Sequence, residues 1–471
     1  MPAERLTALD ASFLYLEKPG VHMHVAGLSV FGPRADGTSL PYDDVERVVE
    51  ARLRLAPQLR RKLLAIPGNI SRPVWVDDDR FDLDFHLRRA SVPSPGGPFE
   101  LERAVGRVLS RTLDRTKPLW ELYVFEDLAE GRTAVLLKLH HAMADGIGGM
   151  MIASALFDLT PDAPLGVPDR WVPEPVPPLE ELIRDAVEEV ILHPIQSLTH
   201  VVRQPWVLAQ GATAAADALR TVAGMGTPPR GPFDGKVGPN RRFATAARPF
   251  ETFRTIKDAL GGTVNDVVLT AVAGGVYALL AHRGEPTKGR TLRAMVPVSV
   301  RSSGDSGDIG NRVAPVFVDV PVGRMAARTR LRRVHAATDR IKDSGMAVGA
   351  DTIIGLGAYA PPSLHATAAR LIAQARWCNL VVSNIPAPQV PLYLAGAPLE
   401  ASYPAMNLKE DCALSVACTS AAGTMAFGLT ADWDRVPDLE VLATGIESAI
   451  DELEKAARPS RASPRTSPPP R

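Results

Sequence analysis

A chain of 471 residues exceeds one ordinary hydrophobic core, so two domains are the expectation. Its 45% hydrophobic and 23% charged residues describe a globular protein, and Lys plus Arg balance Asp plus Glu at 53 each. That balance excludes a global field for steering nucleic acid or an acidic polymer.

The N-terminus carries Glu4, Arg5 and Asp10 ahead of any apolar run, so no secretory signal is expected. No stretch is read as reaching the roughly 18 apolar residues of a membrane span. Residues 1–160 mix strands and helices. Leu101, Val105, Val108, Leu109 and Leu113 form a helical stripe within Phe99–Leu113. Pro118-Leu119-Trp120 breaks that helix and leads into a strand over Glu121–Phe125. A turn around Glu130-Gly131 returns the chain into an apolar strand, Thr133–Leu139.

Between Pro161 and Pro178 lie seven prolines, which suit an extended connector and preclude regular helix. Leu179 to about Gly224 is helical in pattern, and residues 161–240 together form a Pro-rich and helical crossover. A second lobe, 241–457, opens with Thr263-Val264-Asn265-Asp266, which resembles a capping box before a long, buried helix ending near His282. Strands are expected over Leu292–Val298, Val313–Val320, Asn379–Val382 and Met425–Thr430. Leu439, Leu442, Ile446, Ile450 and Leu453 stripe a closing helix. Residues 458–471 hold four arginines and five prolines without an acid, a composition that predicts disorder. Cys378, Cys412 and Cys418 lack metal-ligand spacing and suit a reducing compartment as buried small side chains.

The chemistry concentrates in His140-His141-Ala142-Met143-Ala144-Asp145-Gly146. Two imidazoles stand on a turn between the apolar strand and a helix over Ile147–Leu156, with an acid four residues beyond the second. A base active near neutral pH on a rigid edge is what abstraction of a hydroxyl proton needs. No G-x-S-x-G elbow or cysteine lies nearby in sequence to accept an acyl group, which favours direct transfer over a covalent intermediate. The glycines at 146, 148 and 149 are not a phosphate loop, because no Lys-Ser/Thr follows them.

With these residues in view, nearly the whole chain resembles the bacterial wax ester synthase/diacylglycerol acyltransferase family. His140 to Gly146 matches its HHxxxDG motif without departure. Leu6-Thr7-Ala8-Leu9-Asp10, Pro118-Leu119-Trp120, Asn265-Asp266-Val267-Val268-Leu269, Pro297-Val298-Ser299-Val300-Arg301, Ser383-Asn384-Ile385-Pro386 and Pro391-Leu392-Tyr393-Leu394-Ala395-Gly396 resemble further family segments, in the same order. Ala387-Pro388 departs from the family pattern, which often has Gly after the Asn-x-Pro step.

The resemblance implies an α/β fold of two chloramphenicol-acetyltransferase-like lobes, mixed sheets covered by helices, with a channel between them. It implies a fatty acyl-CoA as donor substrate, no cofactor and no metal, and diacylglycerol or a long-chain alcohol as acceptor. The catalytic set it implies is His141 as general base, with His140, Asp145 and Gly146 in the same turn. His140 has an equally good reading as a polar residue bonded to backbone at the strand end. Asp145 would pair with Arg301 as a structural ion pair clamping the lobes. Asn265, Asp266 and Ser383 are candidates for lining the channel, Ser383 as a donor to the oxyanion, and Asn265 and Asp266 serve equally as capping residues. Pro118, Leu119 and Trp120 are expected to pack behind the turn. Arg241-Arg242 is expected as a solvated basic pair rather than a CoA phosphate site.

An insoluble acceptor implies a cytoplasmic protein attached peripherally to membrane or lipid droplets. The crossover cluster of Ile191, Leu192, Val201, Val202, Trp206 and Val207 is one candidate route, with inter-lobe packing as its alternative. A peptide-assembly condensation domain shares the histidine motif and fold, and would take a carrier-bound or other hydroxyl acceptor. A non-catalytic lipid-binding relative is the remaining alternative.

Overall fold

The computed structural model describes residues 4–144, 148–149, 152, 155–164, 170–188, 226–299, 313–343 and 362–458. Two six-stranded mixed sheets carry the architecture. The first runs in the order Tyr393–Leu394, Ala397–Ala405, His24–Phe31, Thr133–His140, Trp120–Glu126, Leu87–Ser91. The second runs Val313–Pro321, Thr291–Ser299, Leu380–Pro386, Leu414–Ala421, Thr424–Asp432, Arg241–Pro249. A small sheet of Glu4–Arg5, Val74–Asp77 and Arg61–Leu64 flanks the first.

All eight residues of Thr133–His140 are buried, which is why that segment reads as a continuous apolar run rather than an alternating one. One of them is Lys138, fully buried, whose Nζ donates to the carbonyls of Val108 (3.1 Å) and Arg111 (2.5 Å). It thereby satisfies the C-terminal end of the helix Pro98–Leu109. Burial, opposed by Glu121 and Glu17, brings its pKa down to about 8.

In the second lobe the helix Val264–His282 opens with the expected capping box. Thr263 Oγ1 accepts from the Asp266 N–H (3.2 Å), and Asp266 Oδ2 accepts from the Thr263 N–H (2.8 Å). This 19-residue helix is long and apolar enough to cross a membrane, a length the reading of the sequence did not credit, yet most of it is buried in the core. It packs on the closing helix Leu439–Ala457 through Gly275 and Gly445. A Cβ at Gly275 would lie 2.8 Å from the Leu442 carbonyl oxygen.

The lobes are not separate stretches of chain. Ala397–Ala405, from the second half, pairs antiparallel with His24–Phe31 and completes the first sheet, so the division of lobes at 160 and 240 fails for residues 393–405. The same strand presses on the second sheet at Gly428, where a Cβ would stand 1.9 Å from the Pro404 carbonyl oxygen.

A second seam joins the helix Pro98–Leu109 to the strand Arg241–Pro249. Glu102 Oε1 accepts from both the N–H and the hydroxyl of Thr245, each at 2.7 Å. Arg241 is no solvated residue. It is buried in the seam and donates to the carbonyls of Gly20 (2.6 Å), Gly238 (2.6 Å) and Asn240 (3.0 Å), and burial lowers its pKa to about 10. Arg242 lies over the Trp433 ring at 3.8 Å.

Within the crossover, residues 179–188 are helical and seat Leu182 and Ala186 against Ile66, Val74 and Val76. The apolar cluster expected between Ile191 and Val207, and the tail from 459, lie outside the described residues.

Because the two sheets meet backbone to backbone at Gly428, Gly428→Ala is expected to destabilise the protein by about 1–3 kcal/mol, the usual cost of overpacking. Urea unfolding of the two proteins side by side checks this, and equal midpoints would refute the contact.

Candidate active site

The first pair across His24–Phe31 and Thr133–His140 sets His24 opposite His140, where both strands meet the inter-lobe space. Backbone N–H groups fix the turn that follows. The His140 N–H donates to the Leu119 carbonyl (2.9 Å), and the His141 N–H to the Met23 carbonyl (2.7 Å). The Ala142 N–H donates to His140 Nδ1 (3.0 Å). Leu119 and Trp120 thus back the turn as expected. Trp120 is buried, donates from its indole to the Leu59 carbonyl (2.6 Å) and stacks on His86.

The turn sends its two imidazoles in opposite directions. His141 lines a cavity of about 1040 Å³ between the lobes, its ring stacked on Phe13 with centroids 4.0 Å apart and planes 13° off parallel. His140 is fully buried and does not line the cavity. The Ala142 N–H occupies the lone pair of its Nδ1, so the neutral ring carries its proton on Nε2. That nitrogen faces Glu17 Oε2 at 3.6 Å.

Glu17, at the end of the helix Ala8–Leu16, is the hub of this buried group. Its Oε1 lies 3.1 Å from His24 Nε2, and its Oε2 receives Arg115 Nη2 at 2.5 Å and Nε at 2.9 Å. Burial raises the Glu17 carboxyl, but the adjacent His140 and His24 rings outweigh it and hold the group well below the usual carboxylate range. Burial drives His24 down to about 3 and lowers His140 as well, in each case against the opposing pull of Glu17. The cluster therefore holds one carboxylate, two neutral imidazoles and the balancing guanidinium.

Glu17, His24 and His140 lie close enough to hold a metal ion. The donor set fits one poorly. A metal on His140 Nε2 would move the ring proton to Nδ1, against the Ala142 N–H, and Glu17 already binds Arg115.

Of the other expected residues, Asn265 and Ser383 line the cavity. Asp266 does not. Its carboxylate turns inward to Thr263, to Thr338 Oγ1 (2.7 Å) and to His335 Nδ1 (3.0 Å), so it serves the helix cap and not the channel. Asp145, Gly146 and Arg301 lie outside the described residues, and so does the ion pair expected between two of them. Gly149 faces the cavity beside Leu139. All three cysteines are buried, and none lines the cavity.

Glu17, His24 and Phe13 were not singled out in the sequence. The usable signal was slight: His22 and His24 alternate on an extended stretch, and an acid closes an otherwise apolar helix.

Comparison with known proteins follows this geometry. Residues 6–268 match the wax ester synthase/diacylglycerol acyltransferase catalytic domain, and residues 309–454 match the WS/DGAT C-terminal domain. A protein of Mycobacterium tuberculosis named as a diacylglycerol O-acyltransferase is 33% identical, over 95% of this chain and 98% of its own. Another from that organism, with the same activity in its name, is 31% identical over 95% of both chains. Among solved structures, the wax ester synthase/diacylglycerol acyltransferase of Marinobacter aquaeolei VT8 aligns with a TM-score of 0.69 and 25% identity, covering 96% of this chain and 99% of its own. The first condensation domain of the CDA synthetase shares the fold, with a TM-score of 0.59 and 15% identity over 97% of each chain.

The buried histidines make stability depend on pH. Unfolded His24 gains a proton below its ordinary 6.5, whereas the folded residue resists protonation until about 3. The unfolded state therefore binds more protons in that window, and stability falls as pH drops through it, by up to about 1.4 kcal/mol per pH unit for this histidine. Urea unfolding at pH 7 and 5 is expected to follow that slope, and His24→Gln to flatten it. An unchanged slope in the variant would contradict a neutral, buried His24.

Proposed function

The chain belongs to the wax ester synthase/diacylglycerol acyltransferase family and is an acyltransferase; within that class we propose that it moves a fatty acyl group from CoA onto the hydroxyl of diacylglycerol or a long-chain alcohol. The observation that carries this reading is one imidazole, His141, on the wall of a large and mainly aliphatic cavity between the lobes. An aliphatic cavity suits hydrocarbon chains. Arg370 and Lys409 on the same cavity offer charge to an anionic donor.

In this mechanism His141 accepts the acceptor's hydroxyl proton as the oxygen attacks the thioester carbonyl. The tetrahedral intermediate then expels CoA as its thiolate, and the imidazolium returns the proton to that sulfur. Ser383, which lines the same cavity, is the proposed donor to the oxyanion. Among the described residues no cysteine lines the cavity, which supports direct transfer between two bound substrates. His140 acts from behind: its lone pair on the Ala142 N–H holds the turn, and Glu17 orients its ring. Phe13 limits the tilt of the His141 ring by stacking on it.

The acceptor's insolubility calls for a protein that meets a membrane or droplet surface from the cytoplasmic side. Exposed apolar side chains at and before the start of the crossover support that assignment: Leu159 ahead of it, and Val172 and Leu179 within it, are 71%, 78% and 54% exposed.

Purified protein given labelled palmitoyl-CoA with diacylglycerol and, separately, hexadecanol is expected to form triacylglycerol or wax ester. His141→Ala should lower kcat/KM by about 10²–10⁴-fold, the usual worth of positioned proton transfer. Folded variant retaining wild-type rates would remove the general base, and wild type inert toward both acceptors would remove the substrates.

A further inference from the structure

The cavity has a long wall, and its geometry follows from strand register. Val25, Gly27 and Ser29 alternate onto one face of the first sheet, opposite Leu139, Leu137 and Val135 of the neighbouring strand. Their rungs recede from the His24–His140 pair along the strands. At about 3.4 Å per residue, the Gly27–Leu137 rung stands about 10 Å from that pair and the Ser29–Val135 rung about 17 Å. The wall therefore leads straight away from the histidine turn into apolar surroundings.

The Gly27 rung spans four strands: Pro404, Gly27, Leu137 and Leu122 are consecutive partners across the sheet, and all four line the cavity. Three of them present side chains. Gly27 presents none, although nothing among the described residues requires glycine there. Its φ is not in the left-handed region, and a Cβ built on it meets no heavy atom within 4 Å. The contrast with Gly428 is direct, since backbone fills the space over that residue. Glycine inside a strand is less stable than alanine there, so a strand glycine facing open space marks room left for something else.

We propose that Gly27 is a specificity-determining residue: the missing side chain leaves passage for a linear hydrocarbon chain along the sheet face, and so sets how long a chain the cavity accepts. The inference rests on the proposed transfer between fatty substrates and identifies where one of their chains lies. A chain too short to reach the Gly27 rung ends before it, and a longer one continues toward Ser29 and Val135. A branched side chain at 27 closes the path between Leu137 and Pro404. The chain belongs either to the acyl donor or to the alcohol, and the two sources separate by experiment.

The test uses the full chain, wild type beside Gly27→Ala and Gly27→Leu, with thermal unfolding to establish that each is folded. One series varies the acyl-CoA from octanoyl to hexadecanoyl with a fixed acceptor, and the other varies the alcohol from octanol to hexadecanol with a fixed acyl-CoA. In one series, Gly27→Leu should lower the hexadecyl-to-octyl ratio of kcat/KM by about tenfold or more, in line with the worth of small volume changes in apolar pockets. Gly27→Ala should fall between. The series that shifts identifies the chain on the sheet. Ratios unchanged in both series, or equal losses at every length in a folded variant, overturn the proposal. Wild type inert toward every acyl-CoA would instead overturn the underlying reading of function, so the two failures are distinct.

Discussion

The half-buried carboxylate of Glu17, at the edge of the cavity, is the constraint around which the first lobe is arranged. An ionised group in that position demands partners, and it takes them from three separate parts of the chain: Arg115 after the helix Pro98–Leu109, His24 at the start of one strand and His140 at the end of another. Each contact draws a separate segment toward the same carboxylate, so these segments are held to one arrangement. His140 then has no freedom to turn toward the cavity, and the backbone geometry directs the next side chain outward. The pair of adjacent histidines is thus one structural and one cavity-facing imidazole, distinguished by what surrounds each ring rather than by residue type.

A second constraint joins the lobes. Ala397–Ala405 belongs by sequence to the second half and by hydrogen bonding to the first sheet, and it touches the second sheet at Gly428. A cavity between two lobes is useful for chemistry only if their separation is fixed, since reacting groups tolerate errors of well under an ångström. A shared strand, a glycine contact and the buried Arg241 seam each oppose opening. The cavity's width is accordingly a property of backbone packing and not of the side chains that line it.

What was legible in the sequence follows from whether a feature is local. The strand Thr133–His140, the capping box at Thr263 and the closing helix Leu439–Ala457 announce themselves by periodicity and by residues three or four apart. The histidine turn was legible for the same reason, and the family's motif order carried the two-lobed fold. Features created by distant pairing were not legible. His24–Phe31 mixes histidine, glycine and serine into its apolar positions and acquires its identity from neighbours more than 100 residues away. Arg241 looked solvated because a pair of arginines is usually so, yet its carbonyl partners come from two loops, one of them 221 residues away in sequence. Asp266 was read as both cap and channel residue. Thr338 and His335, on a helix that begins 61 residues later, decide for the cap.

The same distinction explains why the apolar wall matters more than its composition suggests. Leu137, Val135 and Leu139 would be predicted as core in any strand of this type, and on one face of the sheet such residues are core. On the other face they meet space, because the helix Ala8–Leu16 stands off the sheet and covers the cavity with Leu9, Phe13 and Leu16. Phe13 performs two tasks there, stacking on His141 and facing the same space as Leu137. His141, 9% exposed, is so enclosed that the proposed base would work where water is scarce and electrostatic contacts are stronger than in solution. Scarce water also protects an activated acyl group from hydrolysis. The apolar lining therefore serves reactivity as well as binding, and both depend on the helix that ends in Glu17.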